Sequence, residues 1–441
     1  LKQSVIYEAV TKGIDSSPVL VESGIEWVGL IPDTWSMIPN KYVMHKEKNL
    51  CEKWTGEDVM SLTMNGVIVR DLQNPTGKMP ATFDGYQYIE DGDLLMCLFD
   101  IDVTPRCVGR VTHNGVTSPA YSNFKIHDNA SRDYFYYYYL MVDNTKELLH
   151  LAKNLRHSFT EEQLGHLKVP MPPLQEQQAI VGYLDETCSK IDEIIAEAKA
   201  SIDEYKELKQ SVIFEAVTKG LDKNVEMKDS GNLAIGKIPK HWVKARVKNV
   251  ATRITVGVVV TPANYFDDAG TVAFLRGINV KEYVINSEPM MYITEETNKE
   301  LSKTIVHTND LVIVRDGAIG VTAVVPEKYD GANVVSMIIV SLGSEYNHDY
   351  LCYVLNSYVG KIQFNLTKIG SALSHTSVSS VSNIEIPKPS INEQIDIVNY
   401  LKEQHKKLNS LIAEKESLIN DLEAYKKSLI YEVVTGKRRV V

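Results

Sequence analysis

The sequence predicts an α+β protein of two tandem β-rich blocks, each followed by one long helix. Three observations lead there: the chain repeats itself at a nearly constant offset, each block holds short β-rich runs, and a seven-residue apolar period follows each block. At 441 residues the chain exceeds a single ordinary core, so more than one domain is required.

The repeat sets the order of elements. "LKQSVIYEAVTKG" at Leu1–Gly13 recurs as "LKQSVIFEAVTKG" at Leu208–Gly220 and more loosely as "YKKSLIYEVVTGK" at Tyr425–Lys437. "ESGIEWVGLIPDTW" at Glu22–Trp35 matches "DSGNLAIGKIPKHW" at Asp229–Trp242, at the same offset of 207 as the first two tails. "PPLQEQQAIVGYL" at Pro172–Leu184 matches "PSINEQIDIVNYL" at Pro389–Leu401, offset 217. The expected organisation is a helix-tail copy over 1–21, a first block over 22–171 and a central helix over 172–220. A second block over 221–388 and a C-terminal helix over 389–441 complete it. The near-identity of residues 1–15 and 208–222 suggests recent shuffling between homologous cassettes.

Within the blocks, "LLMCLF", "TVAFL", "DLVIVR" and "NVVSMIIVSL" are short β-rich runs bounded by Gly, Asn and Asp, which reads as a twisted sheet with a few helices. "YFYYYYLM" could offer stacking platforms for bases. Its counterpart "YLCYVLNS" is poor in aromatics but equally apolar, so a buried helix explains both.

The helices follow from periodicity. Leu184, Ile191, Ala198, Tyr205 and Val212 recur every seven residues, interleaved with Ile180, Thr187, Ile194, Ser201 and Leu208. The second helix repeats this with Leu401, Leu408, Lys415, Leu422 and Leu429, interleaved with Ile397, Gln404, Leu411, Leu418 and Tyr425. Such a period sustained over several heptads predicts a coiled-coil seam. A helix over 174–219 would be about 70 Å long at ~1.5 Å per residue. Pro172, Pro173 and Pro389 mark the helix starts, and Gly220 and Gly436 the stops.

Composition narrows the function. The net charge is −10, with Lys+Arg 47 against Asp+Glu 57. The acidity sits in the first half, so a locally basic face for nucleic acid stays open without being supported. Cys51, Cys97, Cys107, Cys188 and Cys352 form no CxxC pair and read as free thiols of a reducing compartment. The histidines lack a metal-ligand spacing, and no apolar run approaches a membrane span. "GNLAIGKI" at Gly231–Ile238 fits GxxxxGK, but lacks the following Ser/Thr and a preceding strand. No nucleophile elbow, adenine-methylase tetrapeptide or glycine-rich cofactor loop occurs, so catalysis and a bound cofactor are not expected in this chain.

Two differing blocks, two shared long helices, "PPLQEQ…IV.YLD" and "SG…GxIPxxW" together resemble the specificity subunit of Type I restriction-modification systems, over nearly the whole chain. The resemblance implies two target-recognition domains, each reading one half of a bipartite, asymmetric site on double-stranded DNA. It implies helices packed as an antiparallel coiled coil, with pseudo-two-fold symmetry that suits a duplex. It also implies two modification subunits, which bind S-adenosylmethionine, and restriction subunits that use ATP and Mg, all cytoplasmic. The rival reading is a coiled-coil interaction scaffold or adhesin with duplicated sheet domains and no DNA.

Phosphate contacts need Lys or Arg, and base reading needs Arg, Asn, Gln and small polar groups on loops. The candidates in the first block are Arg70, Arg106, Arg110, Lys153, Arg156, His157 and Ser158. Those in the second are Arg253, Tyr265, Arg276, Arg315, Lys368, Ser371 and His375. "NLRHSFT" and "GSALSHTS" occupy matching positions shortly before each long helix, which favours both segments.

Overall fold

The computed structural model describes residues 19–75, 79–152, 158–366 and 375–440. The first tail copy, Leu1–Gly13, lies outside them. The chain divides into two compact units, residues 1–198 with 417–441, and residues 199–416.

The block of the first unit opens on an antiparallel pair, Leu20–Glu22 with Leu30–Pro32. A four-stranded antiparallel sheet follows, in the order Val108–Arg110, Leu94–Met96, Ser122–Ile126, Met44–Glu47. A five-stranded sheet runs Leu50–Cys51, Tyr86–Ile89, Gly115–Thr117, Val59–Thr63, Gly66–Val69, with one parallel contact between Gly115–Thr117 and Val59–Thr63. The tyrosine run forms the helix Arg132–Asn144, capped by Ser131, whose side chain accepts from the Tyr134 amide. Tyr134, Phe135, Tyr137, Tyr138 and Tyr139 are buried, which makes this run core rather than a stacking platform.

The second unit repeats the plan. Its opening pair is Met227–Asp229 with Lys237–Pro239. Its four-stranded sheet runs Ala251–Val256, Met337–Leu342, Leu311–Val314, Thr322–Val324. A three-stranded sheet runs Met291–Ile293, Val272–Leu275, Asn333–Val334. The helix His348–Asn356 takes the place of the tyrosine helix, capped by Asn347.

Two helices dominate the rest, Leu174–Lys219 of 46 residues and Ile391–Val434 of 44. In each unit they run antiparallel. In the first unit Ile180 lies beside Val433, while Asp192, later on the first helix, pairs with the earlier Lys426 at 2.6 Å. In the second unit Trp242 touches both the end of the first helix at Gly220 and the start of the second at Glu393.

The seam departs from the predicted set. Ile194 and Leu208, placed in it by the sequence, are 45% and 49% exposed, and Leu411 and Leu418 are 39% and 38% exposed. One residue beyond the predicted positions 194, 201, 411 and 418 the side chains turn inward instead: Ile195 and Ile202 are buried, and Ile412 and Ile419 are half-buried. The buried series on the first helix is Ile180, Leu184, Cys188, Ile191, Ile195, Ala198 and Ile202. Two successive steps of four at its start move one of the two heptad sets along by a residue, as in a stutter. The second helix makes the same choice through Leu401, His405, Leu408, Ile412, Lys415, Ile419 and Leu422. Of the other predicted seam positions, Ile180, Leu184, Ile191, Ile397, Leu401, Leu408 and Leu429 are buried, and Tyr205, Val212 and Leu422 are half-buried.

Candidate DNA-reading edges and the joints that hold them

In each block one end of the four-stranded sheet is built the same way. In the first, the Phe159 amide donates to the Leu98 carbonyl at 2.7 Å. In the second, the Thr376 amide donates to the Arg315 carbonyl at 3.1 Å. Both pairs lie at the offset of 217. Each joins the strand-end loop, Leu98–Arg106 or Arg315–Gly320, to the segment that follows "NLRH" or "GSALS". In each block the described end of the second candidate segment, at Phe159 or Thr376, therefore meets the first candidate loop at one end of the sheet.

The paired edges differ in chemistry. The first presents Phe99 and Val103 to solvent, on either side of Asp100 at φ +47°. The second carries Arg315 and Asp316, with Gly317 and Gly320 at φ +77° and +87°. Asp316 accepts from Ser336 Oγ at 2.7 Å, lies 3.9 Å from Arg315 Nε and bridges to His375 along the backbone. Beside it lies an open cleft of about 390 Å³ lined by Gly277, Lys281, Glu282, Asp316 and Ala318. This edge thus brings Arg315 and His375 together.

The other candidates are held by the fold. The Arg106 fork donates to the carbonyls of Val108 and Met64, each at 3.1 Å, and to Tyr136 Oη at 3.0 Å. Arg110 pairs with Asp133 at 2.6 Å and lies over the Tyr136 ring. Arg253 donates to the Ile305 carbonyl and to the buried Asp310. Arg276 donates to the Pro289 carbonyl, and Tyr265 packs beside the Val258, Phe274 and Ile293 cluster. Arg70 and Ser158 are half-buried and in contact with other groups. Lys153, Arg156, His157, Lys368 and Ser371 lie outside the described residues.

Sequence reasoning missed a set of joint residues that fix each edge to the helices. Trp35 Nε1 donates to Glu176 in the first turn of one long helix, and Trp242 Nε1 to Glu393 in the first turn of the other, both at 3.0 Å. The same indoles cover the glycines that end the helices. A Cβ on Gly220 would meet Trp242 at 3.1 Å, and one on Gly436 would meet Pro32 at 2.4 Å. Tyr134 and Tyr350 donate to the Val434 and Val217 carbonyls, each at 2.9 Å. Gln177 accepts from the Ser131 amide and donates to the Pro172 carbonyl, and Gln394 does the same with Asn347 and Pro389. The repeated "IPxxW", "DYF/DYL" and "QEQ/NEQ" motifs carried this signal.

Electrostatics at the joints favours a charged Glu393. Burial opposes the charge, but hydrogen bonds from His241, Trp242 and Ser390 outweigh it and hold the carboxyl down at about 2. Burial pushes the thiols up, Cys188 to about 11 and Cys107 to about 12, and all five cysteines are free and buried. Among the described residues no cluster of three His, Cys, Asp or Glu could hold a metal ion. No described helix is long and apolar enough to cross a membrane.

Two β-rich blocks, jointed alike to a pair of long helices and carrying different loop edges in the same place, define a duplicated recognition scaffold. The chain belongs to the Type I restriction modification DNA specificity domain family, whose profile matches residues 101–204 and 239–421. It is a DNA-recognition component of such systems and not itself a catalyst. It is 27% identical over 316 residues to the putative type I restriction enzyme MjaX specificity subunit of Methanocaldococcus jannaschii, covering 71% of this chain and 69% of that one. It is 24% identical over 288 residues to the EcoBI specificity subunit of Escherichia coli, covering 62% and 58%. Two solved structures share the fold. A chain from work on assembly and conformational transition of the type I R-M system gives a TM-score of 0.70 at 14% identity, covering 92% of this chain and 99% of that one. The HsdS subunit of Thermoanaerobacter tengcongensis gives 0.51 at 15% identity, covering 92% and 98%.

Proposed function

We propose that each block reads one half of a bipartite, asymmetric site on double-stranded DNA through its two-loop edge. The observation that carries this reading is the repeated edge: the same backbone contact in both blocks, surrounded by different side chains. Equivalent placement gives two reading positions, and unlike chemistry gives two unlike half-sites. The acidic overall charge makes tight binding depend on partners that add phosphate contacts.

The long helices serve as the docking surface for two modification subunits, through which restriction subunits join. Ile194, Leu418 and Tyr425 in the first unit, and Leu208 and Leu411 in the second, are exposed apolar residues on the helices outside the seam. Exposed apolar residues on a charged helix fit a helical partner. S-adenosylmethionine, ATP and Mg belong to those partners. The test is methylome sequencing with the gene present and absent. One bipartite motif should lose methylation on deletion, and an unchanged methylome in a strain carrying the modification subunit would refute the reading.

A further inference from the structure

We propose that the N-terminal tail copy, Leu1–Gly13, is a second occupant for the place that Leu429–Gly436 fills in the first unit. The chain carries three copies of this tail, but the two blocks offer only two such places. In the second unit Val212–Gly220 fills one. There Ile213, Ala216 and Val217 are buried, the Val217 carbonyl accepts from Tyr350, and Gly220 lies under Trp242. In the first unit Ile430, Val433 and Val434 are buried, the Val434 carbonyl accepts from Tyr134, and Gly436 lies under Trp35 and Pro32.

The third copy matches the occupant of the second place. Val5, Ile6, Ala9, Val10 and Thr11 stand where that occupant has Val212, Ile213, Ala216, Val217 and Thr218. Its tether matches as well. Six residues, 221–226, separate Gly220 from the strand Met227–Asp229, and six, 14–19, separate Gly13 from the equivalent strand Leu20–Glu22. The copy can therefore reach the first unit's place by the same path that 208–220 takes in the second. The hydrogen bond from Tyr134 is no barrier, because it is received by a main-chain carbonyl.

Competition then decides the occupant. Val5 for Leu429 and Ala9 for Val433 leave the place three carbon atoms emptier. The C-terminal tail is also continuous with a 44-residue helix whose later part packs along the first unit. The C-terminal tail holds the place in the intact chain, and the N-terminal copy takes it when that tail is lost.

Hydrogen exchange of residues 1–13 tests this in the full chain, in a chain lacking 425–441, and in a full-length Val434→Asp variant. Exchange over Val5–Thr11 should slow by roughly tenfold or more in both altered chains, and revert when Val10→Asp is added. Exchange that stays as fast as in the intact chain, whether or not the unit folds, overturns the proposal. Protection accompanied by a dimeric mass overturns the assignment within one chain.

Discussion

The Tyr134 hydroxyl donates to the main-chain carbonyl of Val434, 300 residues further along the chain, at 2.9 Å and fully buried. Tyr350 does the same to Val217. Each bond ties a block to the end of a long helix. Tyr134→Phe and Tyr350→Phe should each cost about 1–3 kcal/mol, since a buried carbonyl loses its donor. Urea denaturation checks this, and a midpoint unchanged in both variants would remove the joint role.

Aspartate at adjacent seam positions should separate two faces. Ile195→Asp buries a charge and should unfold the helix pairing, seen as a lower Tm. Ile194→Asp should leave stability within ~0.5 kcal/mol of the parent while weakening capture of a modification subunit. Equal Tm losses in the two variants would return Ile194 to the seam.

Stability should vary with pH through Glu393. Its carboxyl sits near 2, below its ordinary value of 4.5, so its charged form is favoured by folding. That contribution is complete above about 4.5 and is lost as the pH falls toward 2. The stability gap between the parent and Glu393→Gln should therefore narrow over that window. Thermal melts at pH 6 and at pH 3 would show it, and a gap that is constant with pH would refute it.

Exchange of residues 26–171 for another block should change one half of the methylated sequence and preserve the other. Methylome sequencing of the swap reads this directly. A change in both halves, or in neither, would show that the edges do not read independently.

The plan of the chain was legible because repeats and periodicity act locally. The order of blocks, both long helices and the buried helix at "YFYYYYLM" all follow from residues near one another. The seam was legible only to within one residue. Ile194-Ile195, Leu411-Ile412 and Leu418-Ile419 are adjacent apolar pairs, and a seven-residue count accepts either member. The arginines show the other limit. Arg106 is held by the carbonyl of Met64 and Arg253 by that of Ile305, partners that no local pattern announces. The convergence of the two loops at Leu98 and Arg315 likewise needed the fold.

Several of the joints fasten to main-chain atoms. Tyr134 and Tyr350 address carbonyls, and Gln177 and Gln394 address an amide and a carbonyl. Apart from a few fixed side chains at its rim, a block is therefore free to diverge at its reading edge without losing its fit to the helices. On the proposed reading, recombination that exchanges one block rewrites one half of the DNA vocabulary in a single event while these main-chain joints to the helices stay as they are.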